Sequence, residues 1–194
     1  IATSAVRESA NGAAFVRRAQ EQLDMPLEII SGSEETQLVY RSLGPLIPLG
    51  KDPWLLANLG GGSLEAALVN RAGVLTSETH TIGAVRLLEE FASSAGNSRQ
   101  LVRLMQEYVA TLRLSLEKIN RPLAGFIATG GNIEELAKMA GAPQNEHGMR
   151  LLSRAALRRL LEELPRLSIK QRMVRWSINQ DRADVIVPAA VVYE

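Results

Sequence analysis

The chain contains no cysteine, which excludes a disulfide framework and a thiolate metal site and is compatible with a cytoplasmic location. Histidine is nearly as scarce. His80 and His147 are the only two, and they do not stand in the His-x-x-x-His spacing of zinc sites. Aromatic residues make up 4% of the sequence, too few for a stacking platform on single-stranded nucleic acid. A formal charge of +1 gives no global field that would draw a polyanion, so an anion site has to be local. No apolar run reaches the roughly 18 to 20 residues of a membrane helix, and no signal peptide opens the sequence. Neither membrane nor nucleic acid is an expected partner. The Gly-x-Ser-x-Gly elbow of α/β-hydrolases is missing as well.

What is present begins with Asn58-Leu59-Gly60-Gly61-Gly62-Ser63-Leu64-Glu65. Three glycines interrupt two apolar runs, so the backbone turns where a ligand can approach its N–H groups and successive turn amides can cup an anion. The setting predicts a meander: strand to Leu59, turn, strand from Leu64, a second turn at Asn70 to Gly73, and a strand over Val74 to His80. That order differs from the strand-to-helix setting of a Walker loop. No lysine follows the glycines, and Glu65 stands where a dinucleotide fingerprint needs its third glycine.

The rest of the chain reads as alternating strands and helices. A helix is expected from Asn11 to Asp24 with Phe15, Val16, Ala19 and Leu23 on one side, then a short strand over Leu27–Ile30 and a helix opened by Ser31. The 44–53 segment, rich in proline and glycine, is a connector. Further helices are expected over Ser98–Ile119, from Asn132 through Met139, over Ser153–Leu164, and from a Ser168/Gln171 capping box through Ile178. Ala124–Ala128 reads as a buried strand. Ala183–Tyr193 is apolar and assigned as a helix in preference to a strand. Alternation of this kind makes the class α/β. A chain of this length can bury roughly 70% of its unfolded surface, and no repeat or low-complexity linker marks an internal boundary.

Phosphoryl chemistry needs donors for oxygens, usually a metal, and a carboxylate to orient or deprotonate the attacking group. The donors are Gly60 to Ser63 and a second glycine turn at Gly130 and Gly131, where a strand runs to a helix N-terminus. The carboxylates are Glu34, Glu35 and Glu65. Neighbours on a helix point about 100° apart, so only one of Glu34 and Glu35 is expected to face the site.

Several motifs in order resemble the exopolyphosphatase and guanosine pentaphosphate phosphohydrolase (Ppx/GppA) family of the actin-like ATPase superfamily. They are Thr3 to Asn11 with Arg7, Ile30-Ser31-Gly32-Ser33-Glu34-Glu35, the glycine triplet, Ile82 to Arg86, Thr129-Gly130-Gly131 and Arg182-Ala183-Asp184-Val185-Ile186. The resemblance implies a ribonuclease H-like, actin-like ATPase (ASKHA) subdomain, a mixed sheet flanked by helices. Glu35 would be the base that activates water. Arg7, Gly60, Gly61, Gly62 and Ser63 would hold phosphate, and Glu65 would assist at a Mg²⁺ and water site together with Asn58. Gly130 and Gly131 would form a nucleotide or phosphate turn. The implied reaction releases orthophosphate from polyphosphate or guanosine pentaphosphate.

Two features depart from the family pattern. Asn58 replaces the aspartate that precedes the family's glycine loop, and Leu64 replaces a threonine. The Asp-x-Gly-Ser-x-Ser loop of the first subdomain is also absent. Residues 1–194 therefore read as the second actin-like subdomain, cut from a longer protein and expected to be inactive alone. The alternative reading is a catalytically degenerate regulatory protein that binds polyphosphate or a nucleotide. An actin-like kinase half is disfavoured by the Glu34–Glu35 pair. Between monomer and homodimer the sequence leaves the choice open.

Overall fold

The computed structural model describes residues 1–93, 97–114 and 122–194 and divides into two compact units. The first comprises Ile1–Thr81 and the described residues that end at Ile127; the second comprises Ile82–Leu114 and Ala128–Glu194.

In the first unit, α1 (Ser4–Arg7) leads to α2 (Gly12–Leu23), which closes at Asp24 in a left-handed conformation, φ 49°. The stripe expected on α2 is there, but Phe15 and Leu23 are exposed within this chain. Leu27–Ile30 does not form the expected strand: a single parallel bridge joins Ile29 to Ala2. On the C-terminal side the ladder stops because Ala2 is followed almost at once by α1, and a ladder needs extended residues on both sides. Then α3 (Gly32–Leu43) starts from a complete Ser31/Glu34 capping box, and the connector that follows it carries no strand before Trp54.

The sheet runs β3-β2-β1-β4, with β1 Trp54–Leu59, β2 Leu64–Asn70, β3 Gly73–His80 and β4 Gly125–Thr129. The meander is as expected, β1 with β2 and β2 with β3 both antiparallel. Central β2 is buried from Leu64 to Val69, and α3 packs on β2 and β3. The class is α/β, a mixed sheet flanked by helices. In β4 only Ile127 is buried while Phe126 is exposed, so this strand is not buried throughout.

The second unit holds α4 (Ala84–Ala92), α5 (Ser98–Val109), α6 (Gly131–Met139), α7 (Arg154–Glu163), α8 (Ile169–Trp176) and α9 (Gln180–Tyr193). No helix was expected at α4. Helix α5 ends ten residues before the expected Ile119; Thr111 and Leu112 turn their N–H groups back to Tyr108 and Val109, and the Thr111 hydroxyl also bonds Tyr108 O at 2.7 Å. Such tight bonds satisfy the last carbonyls and stop propagation. Expected apolar positions Leu116 and Ile119 lie outside the described residues. The Ser168/Gln171 capping box opens α8 as expected, and left-handed Ser177, φ 55°, ends it before Ile178. The core gathers Leu87, Met105, Leu136, Leu164 and Ile186. Helix α9 buries Ala183 and every residue from Ile186 to Val191, which explains why it lacks a polar face and reads ambiguously in sequence.

Candidate functional site

Strand register builds the first part of the site. Asn58 on β1 stands directly opposite Glu65 on β2, and Glu65 opposite Thr79 on β3, so the three side chains form one row on one face. Helix α3 begins against this row. Gly32 lies so close to β3 that an added Cβ would overlap Thr79 Oγ1 and sit 3.0 Å from Thr79 Cβ. Glu35 follows Gly32 by three residues and shares its helix face, so the close approach delivers its carboxylate to the row.

There Asn58 Nδ2 donates to Glu35 Oε1 and to Glu65 Oε2, each at 3.3 Å. Ser63 Oγ donates to Glu65 Oε1 at 2.5 Å. Ser63 and Glu65 are both 2% exposed. Glu35 Oε2 is buried and, among the described residues, has no hydrogen-bond partner. Burial raises the Glu35 pKa above the usual carboxylate value, and repulsion from Glu65 adds to the rise; the Arg7 charge and the Asn58 hydrogen bond oppose it. A carboxylate with one oxygen anchored, the other unpaired and a raised pKa has the attributes of a general base.

Its neighbour has a different task. Glu34 accepts from Ser31 N at 2.7 Å and from Ser31 Oγ at 2.8 Å, a capping arrangement that lowers its pKa. Of the acidic pair, one caps the helix and the other enters the site, as the angular argument requires.

Arg7 donates from Nη1 to Ile30 O at 2.7 Å and is close enough to act on Glu35 electrostatically. A guanidinium has five N–H donors, so one anchor leaves others for phosphate. In the glycine loop, Gly60 N–H is taken by Ser63 O at 2.9 Å, and Gly61 is the exposed tip. None of Gly60, Gly61 and Gly62 is among the glycines of positive φ, which are Gly73, Gly130, Gly141 and Gly148. What the triplet contributes is access to the main chain rather than left-handed backbone.

The second unit contains the other glycine turn. Gly130 stands at φ 107°, ψ 149° and caps α6. A Cβ on Gly131 would come within 2.5 Å of Arg182 Nη2, and Arg182 Nη1 donates to Asn132 Oδ1. Sequence reasoning placed Arg182 in a motif without giving it a part, and it assigned none to Gly32 or Thr79. For Gly32 a signal existed: glycine inside a capping box costs helix stability relative to alanine, so its presence points to a tight contact.

A Mg²⁺ ion does not fit the donor set as arranged. Mg²⁺ takes oxygen ligands and usually one or two carboxylates, whereas Asn58 turns its NH₂, not its carbonyl oxygen, toward both Glu35 and Glu65. Among the described residues no three His, Cys, Asp or Glu side chains are grouped to hold a metal ion.

With the geometry in place, comparison with known proteins is direct. The profile of the Ppx/GppA phosphatase family matches residues 1–194. Exopolyphosphatase 2 of Mycobacterium tuberculosis (strain ATCC 25618 / H37Rv) is 33% identical to the chain, covering 100% of it and 64% of the relative. Exopolyphosphatase 1 of Mycobacterium leprae is 26% identical, with 100% and 59% covered. The crystal structure of an exopolyphosphatase from Cytophaga hutchinsonii superposes with a TM-score of 0.85 at 26% identity, over 98% of this chain and 64% of that one. An Aquifex aeolicus member of the Ppx/GppA family, at 22% identity and TM-score 0.77, shares the fold. The chain thus spans less than two thirds of the length of these relatives. No described helix is long and apolar enough to cross a membrane.

Proposed function

The chain belongs to the Ppx/GppA phosphatase family, and from that premise we propose that it carries the water-activating wall of a phosphoric anhydride hydrolase of exopolyphosphatase type. The observation that carries the reading is Glu35: held by Asn58, raised in pKa by burial and by Glu65, with Oε2 buried and without a hydrogen-bond partner among the described residues. In the proposed step, Glu35 takes a proton from water as the water oxygen bonds to the terminal phosphorus. The bridging P–O bond breaks, its electron pair stays on the departing chain, and orthophosphate leaves. Arg7 and the main chain at the exposed Gly61 tip hold the phosphoryl oxygens, the Gly60 N–H being taken by Ser63 O. Ser63 and Asn58 fix Glu65, whose charge keeps the Glu35 proton affinity high.

Polyphosphate is the proposed substrate and guanosine pentaphosphate the second candidate; both contain the same anhydride bond. The Gly130–Gly131 turn, with Arg182 beside it, is proposed by itself as a nucleotide or phosphate turn. A cytoplasmic location and homodimerisation belong to this proposal. The named relatives are exopolyphosphatases, which favours an enzyme over a regulatory binder. The test is orthophosphate release by the full-length protein from long-chain polyphosphate and, separately, from guanosine pentaphosphate. Release from polyphosphate is the expected result; release from neither overturns the reading.

A further inference from the structure

We propose that the Asn58 amide takes the position a divalent cation would hold between the Glu35 and Glu65 carboxylates, so that this pair is assembled without metal. The argument rests on the two hydrogen bonds of one nitrogen. An amide NH₂ has two N–H donors, and here one meets Glu35 Oε1 and the other Glu65 Oε2, both at 3.3 Å. Only the NH₂ end of the amide can sit between two carboxylates; its oxygen would repel both. The remaining Glu65 oxygen accepts from Ser63 at 2.5 Å, so both oxygens of this buried acid are engaged by side chains of the chain itself.

An amide differs from a cation in what it leaves behind. It supplies directed donors and no net charge, so carboxylate repulsion persists, which agrees with the contribution of Glu65 to the Glu35 proton affinity. An aspartate at position 58 would remove both donors and add a third carboxylate to a row where Glu65 is 2% exposed. Uncompensated charge of that kind is costly in a buried setting, and a cation is the natural remedy. The asparagine therefore sets the metal requirement of this pair.

The inference deepens the hydrolase reading by stating how its two acids are held, and its test reads metal binding without substrate, so it stands or falls separately from activity. Mn²⁺ is titrated into the full-length protein and into Asn58→Asp and Glu65→Gln variants, with bound metal followed by electron paramagnetic resonance. The unaltered protein is expected to show no saturable Mn²⁺ binding that Glu65→Gln removes. Asn58→Asp is expected to bind at least about tenfold more tightly, the scale on which changes in a ligand shell act, and to unfold at higher temperature with Mn²⁺ than without. If Asn58→Asp folds only when Mn²⁺ is present, that supports the proposal too. Saturable binding by the unaltered protein that Glu65→Gln abolishes would overturn it. So would an Asn58→Asp variant that folds and binds Mn²⁺ no better than the unaltered protein. Should Asn58→Asp not fold under either condition, the comparison of the unaltered protein with Glu65→Gln decides.

Discussion

At Gly130 the backbone stands at φ 107°, a region where other residues are strained, whereas none of Gly60, Gly61 and Gly62 adopts a positive φ. The two glycine turns also collect opposite chemistry. Around the triplet, strand register and the start of α3 together gather two carboxylates and an amide; beside Gly131 stand the Arg182 guanidinium and Asn132. Glycines therefore say where a backbone can be approached, and the residues across the register or on the next helix say by what. The first turn is shaped by its neighbours and the second by its own dihedral angles.

The largest expected effect falls on the carboxylate side. Replacing Glu35 by Gln in the full-length protein should lower kcat for phosphate release by about 10²- to 10⁴-fold, the contribution of a general base, with KM little changed. The next concerns placement. Gly32→Ala forces α3 away from Thr79 and should lower kcat by on the order of 10²-fold, since a displacement of about 1 Å can cost that much. Thr79→Gly in the same chain removes the obstructing atoms and should restore most of the loss; no recovery would mean that the contact does not position Glu35.

A smaller effect separates the two turns by stability alone. Gly130→Ala should destabilise by about 1–3 kcal/mol, the cost of a strained backbone region, in denaturant unfolding. At Gly60 an added Cβ meets only Ser63 O, at 3.6 Å, so Gly60→Ala should stay within about 0.5 kcal/mol. Equal losses at both sites would erase the contrast. The smallest effect is pH-dependent. Because the folded-state pKa of Glu35 is raised, the folded protein binds its proton more tightly than the unfolded chain. Stability from this group is present below the ordinary carboxylate pKa and is lost as pH rises through the raised value. Glu35→Gln should then unfold at a higher temperature than the unaltered protein at neutral pH, with the gain shrinking as pH falls toward the ordinary carboxylate value.

Much of this was legible in the sequence. The meander, the Ser168/Gln171 capping box, the helix start at Ser31, and the expectation that only one of Glu34 and Glu35 faces the site follow from local rules that act within a few residues. The misses share a cause in tertiary context. Leu27–Ile30 has strand composition, but the segment it meets at Ala2 turns into α1 two residues later, and the end of α5 is set by turn bonds at Thr111 and Leu112. At the site, residue types offered Glu34, Glu35 and Glu65 as carboxylates, and the family resemblance singled out Glu35 and Asn58. That the Asn58 nitrogen joins Glu35 to Glu65 depends on strand register and on how closely α3 approaches β3, neither of which is written in any single segment.

The account turns on two adjacent acids having different tasks. The direct measurement is orthophosphate release from polyphosphate by full-length Glu34→Gln and Glu35→Gln proteins assayed side by side. Glu34 caps α3 away from the site, so its replacement should leave kcat within a few-fold of the unaltered protein. Glu35→Gln should lose about 10²-fold or more. Equal losses in the two variants, or a greater loss at Glu34, would contradict the assignment of Glu35 as the base.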